Sequence, residues 1–331
     1  MESHLAIQPD PPLGRSRWAA VSVGDRTRAP RSITFPGTEL RIAWYGLPGL
    51  ALVGCAWLLS WSHFAPWSEW GFFPLWLGYI LTVDAMVRPK LQRSLLGSGV
   101  VRVVGIFAIS AAAWWLFELF NLRTGNWRYL QPSPVGPVRF TLEATLDFST
   151  VLPAVFETTA LLHVLLPGHS TSLRPDMQLS NRAARVWFGI GVVSLVLPLL
   201  WPQYFFPLLW LCLFFLVDPI NARLGNPSLL ASAHAGRWRP LIVLATAGLS
   251  CGFFWEMWNS NSMPKWVYNV PWIPQRRLFE MPLLGYGGYL AFALECFAAY
   301  TLAVWVLRAG ATTRVADALP YVPLIRVNPP G

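Results

Sequence analysis

Apolar residues run along this chain in long unbroken stretches, and polar or basic residues gather between them. Eight stretches stand out, near 42–61, 70–87, 101–121, 139–166, 183–200, 203–218, 239–259 and 279–307. About 20 apolar helical residues cross the hydrocarbon core of a bilayer, so each stretch is a candidate span. The stretches are continuously apolar and do not alternate with a period of two, which excludes a membrane β-barrel. The pattern therefore predicts an all-α polytopic membrane protein with about eight transmembrane helices. Composition agrees: 54% of the residues are hydrophobic and 12% charged, too few charges to cover nineteen tryptophans in a soluble fold.

The pattern also repeats. Residues 76–84 (WLGYILTVD) return at 210–218 (WLCLFFLVD), and 117–129 (FELFNLRTGNWRY) return at 254–268 (FWEMWNSNSMPKWVY). The offset is 134 at Trp76/Trp210, 138 at Glu118/Glu256 and Asn121/Asn259, 139 at Trp127/Trp266 and Tyr129/Tyr268, 137 at Glu143/Glu280, and 138 at Glu157/Glu295. So steady an offset predicts two tandem four-helix units, 41–170 and 183–308, between tails at 1–40 and 309–331. An even number of spans per unit gives both units one orientation, about a pseudo-twofold axis along the membrane normal. The first tail is rich in Pro and Arg and reads as disordered.

Charge then orients the spans. Nineteen Lys and Arg fall on the side of the two tails and six on the other, which predicts a multi-pass protein of the cell inner membrane with both termini cytoplasmic. The net charge of +9 is explained by this topology and by contact with anionic lipid, not by a nucleic-acid partner. Four cysteines without pairing pattern read as packing residues. The five histidines show no metal-ligand spacing, and no nucleotide-binding or serine-hydrolase motif is present.

Candidate chemistry lies in the acids of the apolar stretches, because an intramembrane carboxyl is costly and a functional candidate by default. Glu118 and Glu143, with Glu256 and Glu280, are expected on the two arms of helical hairpins and are the candidate catalytic groups. Asn121 and Asn259 share helix faces with Glu118 and Glu256 and are candidates to orient them or a substrate, or to cap a helix. Glu143, Asp147, Thr150 and Glu157 keep to one face of the fourth span, a polar stripe with Glu295 as the later counterpart of Glu157. Asp84 and Asp218 read as local ion pairs or caps. Trp127, Tyr129, Trp266 and Tyr268 either anchor the chain at the interface or line a substrate pocket.

A carboxylic acid among aromatic rings suits acid-initiated chemistry on an alkene, since ring faces stabilise a carbocation by roughly 0.5–2 kcal/mol each. The order of motifs (Asn121, Trp127, Tyr129, Glu143, and again Asn259, Trp266, Tyr268, Glu280) resembles the membrane-embedded lycopene cyclase domains, themselves paired repeats. The stretch from Glu118 to Tyr129 with Arg123-Thr124-Gly125 looks more like the membrane carotenoid hydratases. The cyclases' proline followed by two adjacent glutamates is absent here: Ala144 follows Glu143, and Met281-Pro282 follow Glu280. The resemblance implies an enzyme acting on a membrane lipid or polyene by cyclisation or hydration, with no redox turnover required, although some such cyclases depend on a reduced flavin. The cofactor and the oligomeric state stay open. The competing expectation is a proton- or cation-coupled transporter in which the same carboxylates carry the ion.

Overall fold

The computed structural model describes residues 32–34, 41–92, 94–132, 134–166, 179–271 and 276–307. Nearly all of the two predicted tails, and the link at 167–178, lie outside the described residues. A short antiparallel pair, β1 (Ser32–Thr34) and β2 (Arg41–Ala43), leads into a hairpin of α1 (Gly46–Ser62) and α2 (Phe72–Leu91). Then come α3 (Val100–Thr124), strand β3 (Trp127–Leu130), and a bent span made of α4 (Pro137–Ser149) and α5 (Val151–Leu165). The second half runs α6 (Asn181–Leu200), α7 (Pro202–Phe205), α8 (Leu209–Arg223), α9 (Leu229–His234) and α10 (Arg239–Ser260). It ends with strands β4 (Lys265–Tyr268), β5 (Arg277–Leu278) and β6 (Met281–Pro282) and the last helix, α11 (Tyr286–Leu307).

All eight predicted stretches fall on helix. Among the described residues, six helices are long and apolar enough to cross a membrane: Val100–Thr124, Pro137–Leu165, Asn181–Leu200, Pro202–Arg223, Arg239–Ser260 and Leu283–Leu307. The first predicted span corresponds to α1, which at 17 residues is shorter, and α2 stands outside the set of six. The protein is thus all-α with six helices able to span a membrane, and among the described residues the few strands occur as three isolated two-stranded pairs.

The bundle is ordered by burial. The interrupted span Pro137–Leu165 is the central element, with 72% of its most apolar window buried against 22% for α3 and α6, which leaves those two the most exposed of the six. α1 packs on α2 and α6 on α8, as two hairpins; α5 packs on α2 and α10, and α11 on α8 and α10. One contiguous core runs through both halves of the chain. Trp76 of α2 packs against Trp255 and Trp258 of α10, centroids 5.0 and 4.9 Å apart, and Trp210 of α8 stacks on Phe117 of α3 at 5.4 Å. Each hairpin thus lays its tryptophan on a helix of the other half.

Asp84 and Asp218 prove to be caps. Asp84 accepts from the Leu96 amide at 2.9 Å, and Asp218 from the Leu229 and Leu230 amides at 3.0 and 2.8 Å. Both residues are fully buried within α2 and α8, and their carboxylates reach the start of the next short helix, where they satisfy amides that water does not reach.

The bend in the central span has an identifiable cause. Pro153 has no amide hydrogen, so the carbonyl of Ser149 loses its usual helical partner. Ser110 of α3 then inserts at the joint: its hydroxyl donates to the Phe148 carbonyl at 2.6 Å and accepts from the Leu152 amide at 3.0 Å, replacing the bond those two groups would make directly. The predicted polar stripe is therefore divided. Glu143 and Asp147 lie on α4 before the interruption at Thr150, and Glu157 lies after it on α5, fully buried. Ser110→Ala should lower unfolding stability in bilayer nanodiscs by about 1–3 kcal/mol, since it strands one donor and one acceptor in a dry interface; an unchanged unfolding midpoint would exclude this account.

Candidate functional site

The loops after α3 and α10 meet at one end of the bundle, and the way they meet builds a cavity. β3 and β4 pair antiparallel, with Trp127 opposite Tyr268, Arg128 opposite Val267, Tyr129 opposite Trp266 and Leu130 opposite Lys265. Opposed residues share a face of the ladder, so two Trp and two Tyr, half from each strand, form a single aromatic wall. The segments were expected as loops. Their Trp, Tyr and Val suit a pleated, half-buried surface, but the partner of each lies about 140 positions away, so neither segment alone declares a strand.

Each strand is hung from the helix before it by an asparagine. Asn121 donates to the Trp127 carbonyl at 2.9 Å and accepts from the amides of Asn126 and Trp127 at 2.9 and 3.2 Å. Asn259 donates to the Trp266 carbonyl at 2.8 Å and accepts from its amide at 2.9 Å. Neither asparagine lines the cavity. Their amides are spent on backbone, which corrects the expectation that they touch substrate and assigns them the capping role.

Glu118 and Glu256 lie behind the wall. Glu118 Oε1 accepts from Trp114 Nε1 (3.1 Å), Trp127 Nε1 (2.9 Å) and the Tyr129 hydroxyl (2.5 Å). Glu256 Oε1 accepts from the hydroxyls of Tyr268 and Tyr289 (2.6 Å each) and from Trp266 Nε1 (3.4 Å). Burial beside a carboxylate pushes the phenols of Tyr129 and Tyr268 well above their ordinary value, so both remain donors at physiological pH. These two glutamates fix the orientation of the rings and do not themselves line the cavity.

The third donor differs between the halves for a steric reason. Where α3 carries Trp114, the matched position of α10 is Gly252, and any Cβ there would collide with the Tyr289 ring. Gly248, one turn earlier, lies against the Tyr289 carbonyl. This Gly-x-x-x-Gly pair lets α11 approach closely enough for Tyr289 to reach Glu256. It was readable in the sequence as small-residue spacing on a membrane helix. Gly252→Ala should destabilise the protein by about 1–3 kcal/mol by overpacking. Adding Tyr289→Leu should recover part of that loss; no recovery in thermal unfolding would place the clash elsewhere.

The cavity has a volume of about 390 Å³, within the range of small-molecule pockets. Its walls include Trp114, Trp127, Trp210, Trp255, Trp266, Tyr129, Tyr268, Tyr289, Phe148 and Phe292. Two acids on α4 line it, Glu143 and Asp147, one turn or about 6 Å apart along the helix. Asp147 also lies near the backbone of Phe73 in the first turn of α2, a favourable place for a carboxylate. Glu143 sits at a polar rim, paired with Arg139 at 2.5 Å. Arg139 also pairs with Glu69 and lies 5.8 Å from the Trp70 ring centroid. Across the rim Lys265 pairs with Glu280 at 2.5 Å.

Of the four expected catalytic glutamates, then, only Glu143 lines the cavity. Glu280 is not at a helix start as predicted: it lies in the turn between β5 and β6, because the chain stays extended through Met281-Pro282 before α11 begins. Glu157 and Glu295 are fully buried and away from the cavity. Glu295 accepts from the Leu213 amide at 2.9 Å, supporting α8 near the irregular turn that starts it. Glu69, Arg139, Gln131 and Lys265 are rim residues beyond the sequence reading; Gln131 and Lys265 were signalled by polarity beside the copied W-x-Y motifs, whereas Glu69 and Arg139 carried no such mark. Among the described residues no group of three His, Cys, Asp or Glu is placed to hold a metal.

No family model matches this chain, and no characterised protein or solved structure is significantly similar to it.

Proposed function

We propose that this chain is an integral membrane enzyme that acts on a carotenoid or other isoprenoid lipid by acid-initiated addition to an alkene, either ring closure or hydration. The observation that carries this reading is an apolar, aromatic-walled cavity with two carboxyl groups on one helix face and a charged rim at one end. Asp147 lies among the rings where an alkene would lodge and delivers the proton. Trp and Tyr faces then stabilise the resulting tertiary cation, each by roughly 0.5–2 kcal/mol. Glu143, ion-paired at the rim where water arrives, takes the proton released when water adds or when a neighbouring carbon loses one after ring closure. For hydration the sum is alkene plus water giving a tertiary alcohol, and the protein is reset when Glu143 gives up the proton it took and Asp147 is reprotonated, directly or through water at the rim.

The absence of adjacent glutamates at Glu143-Ala144 favours hydration over ring closure within this reading. Glu118 and Glu256 are positioning residues that hold the wall. The two halves are read as related units with a common orientation in the inner membrane and both termini cytoplasmic. Supporting this are the matched bonds of Asn121 and Asn259, of Glu118 and Glu256, and of Asp84 and Asp218, together with the reciprocal pairing of Trp127 and Tyr129 with Tyr268 and Trp266.

Expression in a host that accumulates linear carotenoids should yield a more polar or cyclised product. Asp147→Asn and Glu143→Gln should each reduce its yield by at least about 100-fold at equal protein level, the usual scale of a lost acid or base. Glu157→Gln should leave it largely intact. Unchanged product from Asp147→Asn, or proton-driven solute uptake by vesicles with no new lipid, would overturn the proposal.

A further inference from the structure

One polar atom in the cavity is left unexplained by the chemistry above. Gln131 follows β3 directly and lines the cavity, and its amide oxygen is buried without a hydrogen-bond partner among the described residues. A carbonyl oxygen removed from water and left unpaired is costly, and such groups are normally satisfied by a ligand or an ordered water. Lys265 also lines the cavity, opposite Leu130, the residue before Gln131. Two hydrogens of its ammonium go to Glu280 at 2.5 Å and to the Ser260 carbonyl at 3.3 Å, so one of its three donor sites is uncommitted among the described residues. The rim thus holds an unsatisfied acceptor, Gln131, and a cationic donor, Lys265, in the lining of one apolar chamber.

That pair selects a functional group. A carboxylate cannot donate to Gln131 and would face Glu69, Glu143 and Asp147; an ammonium donates but has no lone pair to accept from Lys265. An ether or a hydrocarbon has no hydrogen to give. A neutral hydroxyl both donates and accepts. We propose that the Gln131–Lys265 rim binds the hydroxyl of an isoprenoid alcohol, its proton on the Gln131 oxygen and its oxygen facing the Lys265 ammonium, with the chain along the aromatic wall. This deepens the isoprenoid reading and rests on it: the alcohol is substrate or product of the same chamber.

The test uses the full chain in bilayer nanodiscs with geranylgeraniol and its methyl ether, which share a chain and differ in the donated hydrogen. Binding is followed by tryptophan emission, since Trp114, Trp127, Trp210, Trp255 and Trp266 line the site. The alcohol should bind about tenfold more tightly than the ether. Gln131→Leu should bring the ratio close to one, and Gln131→Glu, which keeps an acceptor, should preserve it. Equal binding of both compounds by the unaltered protein would show that water satisfies Gln131 and would overturn the inference, as would a preference surviving Gln131→Leu or binding of neither compound. A preference for the alcohol in a chain that yields no product from linear carotenoids would support this site while sinking the proposed reaction. Carotenoid conversion without any such preference would do the reverse.

Discussion

The four-residue ladder between β3 and β4 governs the rest of the site, because it makes one surface out of two distant parts of the chain. At the end of a membrane bundle, a loop with unpaired amides and carbonyls is expensive wherever water is excluded. Here the two loops pay that cost to each other through strand pairing, and the asparagines of the preceding helices secure the edges. Once the ladder is formed, alternation places Trp127, Tyr129, Trp266 and Tyr268 on one face with no further instruction. The carboxylates of Glu118 and Glu256 then hold the ring orientations from behind, and Trp266 Nε1 also donates to the Tyr268 hydroxyl at 2.9 Å.

A second constraint acts on the bent central span. If the helix through Thr150 were straight, Glu143, Asp147 and Glu157 would form one stripe and would invite the idea of a path through the bundle. The proline and the Ser110 hydroxyl break it, so that the acids on α4 belong to the cavity and Glu157 belongs to the interior packing. The division separates two kinds of buried acid that composition alone treats alike.

Much of the fold was legible because membrane helices announce themselves by length and apolarity, and all eight stretches became helix. The copied motifs also lie at the end of the bundle that holds the cavity. What the sequence hid was direction. Glu118 and Glu143 have the same residue type and similar depth, yet one faces the back of a tryptophan and the other a void, and only the strand pairing decides which. Asn121 and Asn259 were visible as a matched pair, but a side-chain amide spent on backbone and one offered to a ligand look identical until the loop folds over it. Glu280 was misplaced because Met281-Pro282 delays the last helix, a local effect that hydropathy does not register.

The shared wall also bears on biogenesis. Trp127 and Tyr129 emerge from the ribosome long before Trp266 and Tyr268, so the first half enters the bilayer with an unpaired strand and with Asp147 facing lipid or a transient partner. No chamber exists until the last third of the protein has been inserted, and a chain halted earlier would offer its acids to the membrane rather than to a bound molecule. Quality control of such a protein has a natural checkpoint in the closing of that seam.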